Sequence, residues 1–305
     1  MFVQLEIQAN QFLLKTLHHQ HQKHFLKLLK NLLHKLVNLT TTKFNQKLFK
    51  LDHNSERKVK KVALITGGTS GIGYACTLKF LENGYQVFAT GRNQDKLQAL
   101  KDELLNKYPE QLKVIQCDSS NEQQVIELFE QIPHLDVLIN NAGVYGKNNI
   151  CESSLEQIEH MFSINVFGLF LVSKAALKLT TSQDQNLHII NISSSLGNKP
   201  APETSFYSAS KAAVLSFTKS IAMEYAPKVR ANAILPGVVK TPLHEENKNK
   251  KEIEEFYQMM EGFHPLKTLG EASSVAELCF QITREEMSFM TGSSIVFDGG
   301  ISLVC

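Results

Sequence analysis

Tyr207 and Lys211, in the run Tyr207-Ser208-Ala209-Ser210-Lys211, are the side chains of this sequence best placed to move a proton together. Four residues apart on a helix, they share a face. A phenol titrates near ~10, and lowering it by about 2–3 units takes roughly 3–4 kcal/mol. One ammonium about 4 Å away supplies about 4 kcal/mol at an effective dielectric near 20, so the lysine suffices in principle. Alone, such a pair is a weak signal. A second chemistry is written in Thr66-Gly67-Gly68-Thr69-Ser70-Gly71-Ile72-Gly73, where the glycines at 67, 71 and 73 follow an apolar run and precede an amphipathic one. A turn without side chains lets the backbone approach a pyrophosphate, and the next helix aims its first N–H groups at the anion. The plain alternative is a tight strand-to-helix turn.

Both features need a scaffold. Past residue 60, short apolar runs at 62–66, 86–90, 112–117, 135–140, 187–193, 229–235 and 294–297 have the character of buried strands. Between them lie helical periods, among them 95–107 and 153–179, and Gly84 stands where the first helix should stop. Seven strands separated by helices predict an α/β fold, a doubly wound Rossmann-type parallel sheet covered on both faces. Such sheets bind nucleotides at the carboxyl ends of their strands.

Composition narrows the classes. The 305 residues are 43% hydrophobic and 20% charged, enough to bury a large core, which excludes a disordered or disulfide-scaffold protein. A net charge of +2 argues against nucleic acid as the main partner. Five widely spaced cysteines without a CxxC pair fit free thiols in a reducing compartment. No run of 18 uncharged apolar residues occurs, so no membrane-spanning helix is expected. The charge is uneven: residues 1–51 carry eight lysines, no arginine and one acid, Glu6. That shift predicts a basic amphipathic N-terminal extension over 1–57 and a globular domain over 58–305.

The elements of the second part resemble the short-chain dehydrogenase/reductase family, in its compact branch of roughly 250 residues. The resemblance covers about residues 60–305. It rests on TGGTSGIG at 66–73, Asn140-Asn141-Ala142-Gly143, Tyr207 to Lys211, Pro236-Gly237 and the Asp-Gly-Gly at 298–300, all in the family's order. It implies an oxidoreductase that interconverts a carbonyl and a secondary alcohol by hydride transfer to or from a nicotinamide cofactor, with a homodimer or homotetramer as the assembly. The family's catalytic serine precedes its glycine by three and its tyrosine by thirteen, which selects Ser194 over Ser193 and Ser195. Asn165 matches the asparagine that kinks the family's long helix and anchors a water linked to the lysine. The implied catalytic set is therefore Asn165, Ser194, Tyr207 and Lys211, with Ser194 bonding the substrate oxygen and Tyr207 as general acid/base. No metal is expected.

Cofactor contacts are implied for Thr66, Gly67, Thr69, Ser70, Gly71, Ile72 and Gly73, for Asn141, Ala142 and Gly143, for Tyr207 and Lys211, and for Pro236, Gly237, Val239 and Thr241. Thr241 matches the threonine at the nicotinamide amide, and it is equally placed to cap the next helix. Asp118 matches the family residue that accepts from the adenine amino group; the alternative is a helix N-cap beside Ser119. NAD-preferring relatives carry an acid where Gly91 stands. Here that carboxylate is missing and Arg92 follows, so NADP(H) is favoured over NAD(H), the alternative being a solvated loop arginine.

Residues 241–265 occupy the place of the family's substrate lid, and Phe256, Tyr257, Met259, Met260 and Phe263 there fit a partly hydrophobic ligand or ordinary packing. Rival functions are a dinucleotide-binding regulator without turnover and a membrane-tethered scaffold; proteins of the first kind lose the tyrosine or lysine that this chain keeps. In the extension, Phe25, Leu28, Leu29, Leu32, Leu33, Leu36 and Leu39 recur at helical spacing among lysines. Residues 12–39 are thus expected to contact an anionic membrane surface, with packing on the domain as the alternative. The absence of arginine before Arg57 and of serine before Ser55 weakens the likeness to a mitochondrial leader, so a cytoplasmic location comes first and mitochondrial targeting second.

Overall fold

The computed structural model describes residues 60–147, 149–245 and 249–304, all within the second of two units into which the chain divides, Lys60–Cys305. The extension 1–57, and every expectation placed on it, lies outside the described residues.

Seven strands form one parallel sheet: β1 Val62–Ile65, β2 Gln86–Gly91, β3 Leu112–Gln116, β4 Val137–Asn140, β5 Leu187–Ile192, β6 Val229–Pro236 and β7 Ser294–Phe297. Their order across the sheet is β3-β2-β1-β4-β5-β6-β7, so the winding reverses between β1 and β4. Eight α-helices accompany them among the described residues: α1 Gly71–Glu82, α2 Gln94–Leu104, α3 Glu122–Phe129, α4 Leu155–Phe162, α5 Leu169–Gln183, α6 Ser205–Glu224, α7 Lys250–Phe263 and α8 Ala272–Ile282.

Alternation along each strand builds two cores. Ala63 and Ile65 face one side with α1, α2 and α8, where Cys76, Phe80, Leu100, Val275 and Cys279 are buried. Val62 and Leu64 face the other with α3, α5 and α6, through Val125, Leu128, Val172, Ala176 and Ile221. The sheet is covered on both faces, the condition under which a parallel strand reads as a continuous apolar run. Asn93, Asn121, Ser154 and Asn249 cap α2, α3, α4 and α7 by accepting from first-turn amides. Gly84 takes φ +82° just past α1, in the role its position predicts.

Three expectations change. The stretches at 112–117 and 294–297 are edge strands, not buried ones: β3 and β7 each pair on one side only, with Lys113, Gln116, Val296 and Phe297 exposed. The long helix expected over 153–179 runs Leu155–Gln183 but widens to a π-turn at Ser163–Gly168, between α4 and α5. By length and composition that helix could cross a membrane; in the structure its Val172 and Ala176 pack into the core. Finally, Asp118 does not cap α3, because Asn121 does.

Candidate active site

The carboxyl ends of β1, β4, β5 and β6 open into a cavity of about 620 Å³. One wall is the glycine turn. Gly67 and Gly71 adopt φ +63° and +53°, a region in which a Cβ is strained. Gly73 has no room for one, since a Cβ there would lie 2.0 Å from the Gly67 carbonyl oxygen. Beside it, Thr66 Oγ1 accepts from the Asn141 and Ala142 amides at 3.0 and 3.1 Å, and Asn141 Nδ2 donates to the Thr66 and Gly67 carbonyls. The segment 140–143 therefore stitches the turn to β4. Ser70 begins α1 with no side-chain hydrogen bond to the first turn, and no acid sits in that turn. This leaves a side-chain-free cradle at a helix N-terminus, which fits a dinucleotide pyrophosphate.

The opposite wall carries the reacting candidates. Tyr207 and Lys211 on α6 are 6% and 5% exposed. A 3₁₀ turn, Ser195–Gly197, follows β5 and packs on α6 so closely that a Cβ on Gly197 would lie 2.8 Å from the Lys211 backbone. That contact sets Ser194 beside Tyr207, and Ser194 Oγ accepts from the Leu196 amide at 3.1 Å. Ser193 is occupied otherwise, donating to the Lys211 carbonyl at 2.9 Å. Asn165 lies in the π-turn: its Oδ1 accepts from the Val144 amide at 2.9 Å, and its Nδ2 donates to the Val144 carbonyl and Ser210 Oγ. Gly143 is wedged between Asn165 and Lys211, since a Cβ there would meet Asn165 Oδ1 at 3.1 Å and Lys211 Nζ at 3.4 Å.

The electrostatics correct one expectation. Lys211 Nζ lies 5.8 Å from the Tyr207 ring centroid and donates to the Ile192 carbonyl at 3.1 Å, not to the phenol. Burial pushes the Tyr207 phenol above its ordinary value, opposed by the Ser194 hydroxyl and reinforced by Tyr145. Burial likewise pushes the Lys211 ammonium down to about 8. Desolvation dominates at both groups because both are removed from water.

Ser70, Gly71, Ile72, Gly67, Asn141, Ala142, Gly143, Pro236, Gly237, Val239 and Thr241 line the same cavity as Ser194, Tyr207 and Lys211. Thr66, Thr69, Gly73, Arg92 and Asp118 do not. Thr66 and Gly73 are buried beneath the turn, and Thr69 stands by Gly91, where a Cβ would be 3.1 Å from its methyl. Arg92 and Asp118 face each other across the ends of β2 and β3 at 3.9 Å. Thr241 caps the short turn Pro242–His244 only through its backbone; its hydroxyl donates to the Val239 carbonyl. Tyr145 is a site residue that spacing did not reveal. It stands edge-on to Tyr207, with ring centroids 4.9 Å apart.

A model of the short chain dehydrogenase family matches residues 61–252. The chain belongs to that family. It is 31% identical over 253 residues to the NADP-dependent (R)-specific alcohol dehydrogenase of Lentilactobacillus kefiri, covering 81% of this chain and 98% of that one. It is 32% identical to the 3-oxoacyl-[acyl-carrier-protein] reductase of Aquifex aeolicus over 79% and 97% of the two chains. Among solved structures, a variant of actinorhodin polyketide ketoreductase with NADPH superposes with a TM-score of 0.73 at 29% identity, covering 80% and 97%. This member of the short-chain dehydrogenases is an oxidoreductase acting on CH–OH groups.

Proposed function

We propose that the chain is an NADP(H)-dependent oxidoreductase that interconverts a carbonyl compound and its secondary alcohol, with Tyr207 as general acid/base. The observation that carries this reading is convergence: Ser194, Tyr207 and Lys211 line one wall of a cavity whose other wall is the glycine cradle. The nicotinamide, when bound, supplies or accepts the hydride. The chain supplies orientation and proton traffic. Ser194 Oγ donates a hydrogen bond to the substrate oxygen and stabilises the charge that develops there. The Tyr207 hydroxyl gives its proton to that oxygen in reduction and takes it back in oxidation. Burial of the phenol favours its neutral, proton-donating form, as reduction requires. Lys211, charged below about pH 8, holds the ribose side of the cofactor, and Asn165 fixes the 144 backbone beside it.

Gly91 and Arg92 support NADP(H): no carboxylate ends β2, and the guanidinium is half exposed beside Asp118. A 2′-phosphate offers that guanidinium a stronger, bidentate partner than a carboxylate 3.9 Å away. Two apolar surfaces support a homo-oligomer: Phe167 and Phe170 on the long helix, and Val296 and Phe297 on the edge strand β7; Phe289, in the segment before β7, is exposed as well. The test is loss of NADPH absorbance with a panel of ketones. Tyr207→Phe is expected to keep NADPH binding and lose more than nine-tenths of turnover; a variant above a tenth of the parent rate refutes the role.

A further inference from the structure

Beyond the reacting groups, the cavity offers its ligand rings and hydrocarbon. Tyr145 stands edge-on to Tyr207 at 84°, His244 edge-on to Tyr145 at 5.2 Å and 72°, and Phe256 continues the series 5.7 Å from His244. Met260 and Phe263 of α7 add to that side, and Leu196 closes the other. Charged side chains are few there: Lys147, Lys199, Glu203 and Lys211 among the described residues, beside serine and threonine hydroxyls. Glu203, the one acid lining the cavity among the described residues, faces Lys147 at 3.8 Å. Lys199 donates to the Val304 carbonyl. Asn141, the one carboxamide there, donates to the Thr66 and Gly67 carbonyls. No aspartate, glutamine or arginine side chain lines the cavity among those residues.

Resting on the carbonyl–alcohol chemistry proposed above, we infer that the substrate is a neutral, hydrophobic ketone carrying an aryl or extended alkyl group, and that Tyr145 is the side chain that selects it. On the side of Tyr145, His244, Phe256, Met260 and Phe263 a polyol would meet mainly rings and hydrocarbon, and its hydroxyls would lose water there with few replacements. An apolar group loses nothing on entering, and each methylene removed from water strengthens binding about fourfold. Tyr145 lies between the proton donor and the His244–Phe256 side, so its ring faces whatever group flanks the reacting carbonyl. Edge-to-face packing of a substrate ring on it adds affinity that an aliphatic side chain cannot.

The test uses the full chain with NADPH and measures kcat/KM for 2-butanone, 2-pentanone, 2-hexanone, 4-phenyl-2-butanone, fructose and acetoacetyl-coenzyme A. The expected result is a rise of about fourfold per methylene through the alkanones and at least a 100-fold preference for 4-phenyl-2-butanone over fructose. Tyr145→Ala is expected to lower kcat/KM for the phenyl ketone at least 10-fold, through KM, and to flatten the preference over 2-butanone; Tyr145→Phe should restore it. Faster turnover of fructose or acetoacetyl-coenzyme A, or an equal loss for all ketones in Tyr145→Ala, overturns the inference. If no carbonyl is reduced, the functional reading fails, and the inference is then judged by the thermal shift that 4-phenyl-2-butanol gives the NADP⁺-loaded protein. A shift lost in Tyr145→Ala sustains it; no shift in the parent overturns it.

Discussion

Lys211 is an amine kept out of water, and that has a cost which pH can uncover. Its ammonium titrates near about 8 in the folded chain against 10.5 ordinarily, so the unfolded chain binds the extra proton between those values. Stability from this group therefore rises with pH from about 8 to 10.5 and is reduced below 8, by about 3 kcal/mol at ~1.4 kcal/mol per unit. Lys211→Met should be inactive, and its stability relative to the parent should be greatest at pH 7 and fall by pH 10.5. Urea unfolding at both values measures this; an unchanged difference means the amine is solvated. At Arg92 the balance is different. The half-exposed pair with Asp118 is worth little in water, leaving the guanidinium available to a phosphate. NADPH should be preferred over NADH in kcat/KM, and Arg92→Ala should erase most of that ratio. Equal kinetics with both cofactors in the parent protein contradicts this assignment.

The elements decide how these side chains meet, and they were unequally legible. Five strands lay in the apolar runs because two covering layers demand apolar residues on both faces, and β3, at the other edge, keeps Lys113 and Gln116 exposed. The seventh has the same apolar look, and residue type alone does not tell that no strand follows it; Val296 and Phe297 are consequently bare. The shared face of Tyr207 and Lys211 followed from a spacing of four. The 5.8 Å separation and the dominance of burial did not, since both depend on how Ser195–Gly197 presses on α6. The irregularity at Ser163–Gly168 was legible only through the family resemblance of Asn165, and its form as a π-turn was not, since residue type does not reveal an i→i+5 turn. Tyr145 was missed because it sits just past Gly143 in a loop with no periodicity. The glycine turn was the most readable element, and it carries a prediction of its own. Gly73→Ala places a methyl 2.0 Å from the Gly67 carbonyl oxygen, so either the turn or α1 must move. NADPH affinity by fluorescence titration should fall at least 10-fold, even where circular dichroism shows a folded chain.

At the scale of the whole chain, the two apolar surfaces that support an oligomer make the hydrodynamic mass informative. Sedimentation should give a dimer or tetramer of the 34.3 kDa chain, and a monomer alone would leave Phe167, Phe170 and Phe289 exposed to water without a function. Every residue assigned to chemistry or cofactor lies beyond residue 60, which makes the basic extension a separate matter. A chain beginning at Arg57 should fold and turn over like the full one while losing any affinity for anionic vesicles. An insoluble or inactive product would mean that the extension belongs to the packing of the domain.

The reversal of winding between β1 and β4 also sets an order of events during synthesis. Val62 donates its amide to Asp136 Oδ2 across 74 residues, so the central strand has a free edge until β4 leaves the ribosome. At about 5–20 residues per second that wait is roughly 4–15 s. Through this interval Val62, Ala63, Leu64 and Ile65, all fully buried in the finished fold, present unpaired backbone and bare hydrocarbon on one side. A nascent chain stalled near residue 130 should therefore be far more dependent on chaperones than one stalled past residue 240, where β4 and β5 have emerged to close the sheet.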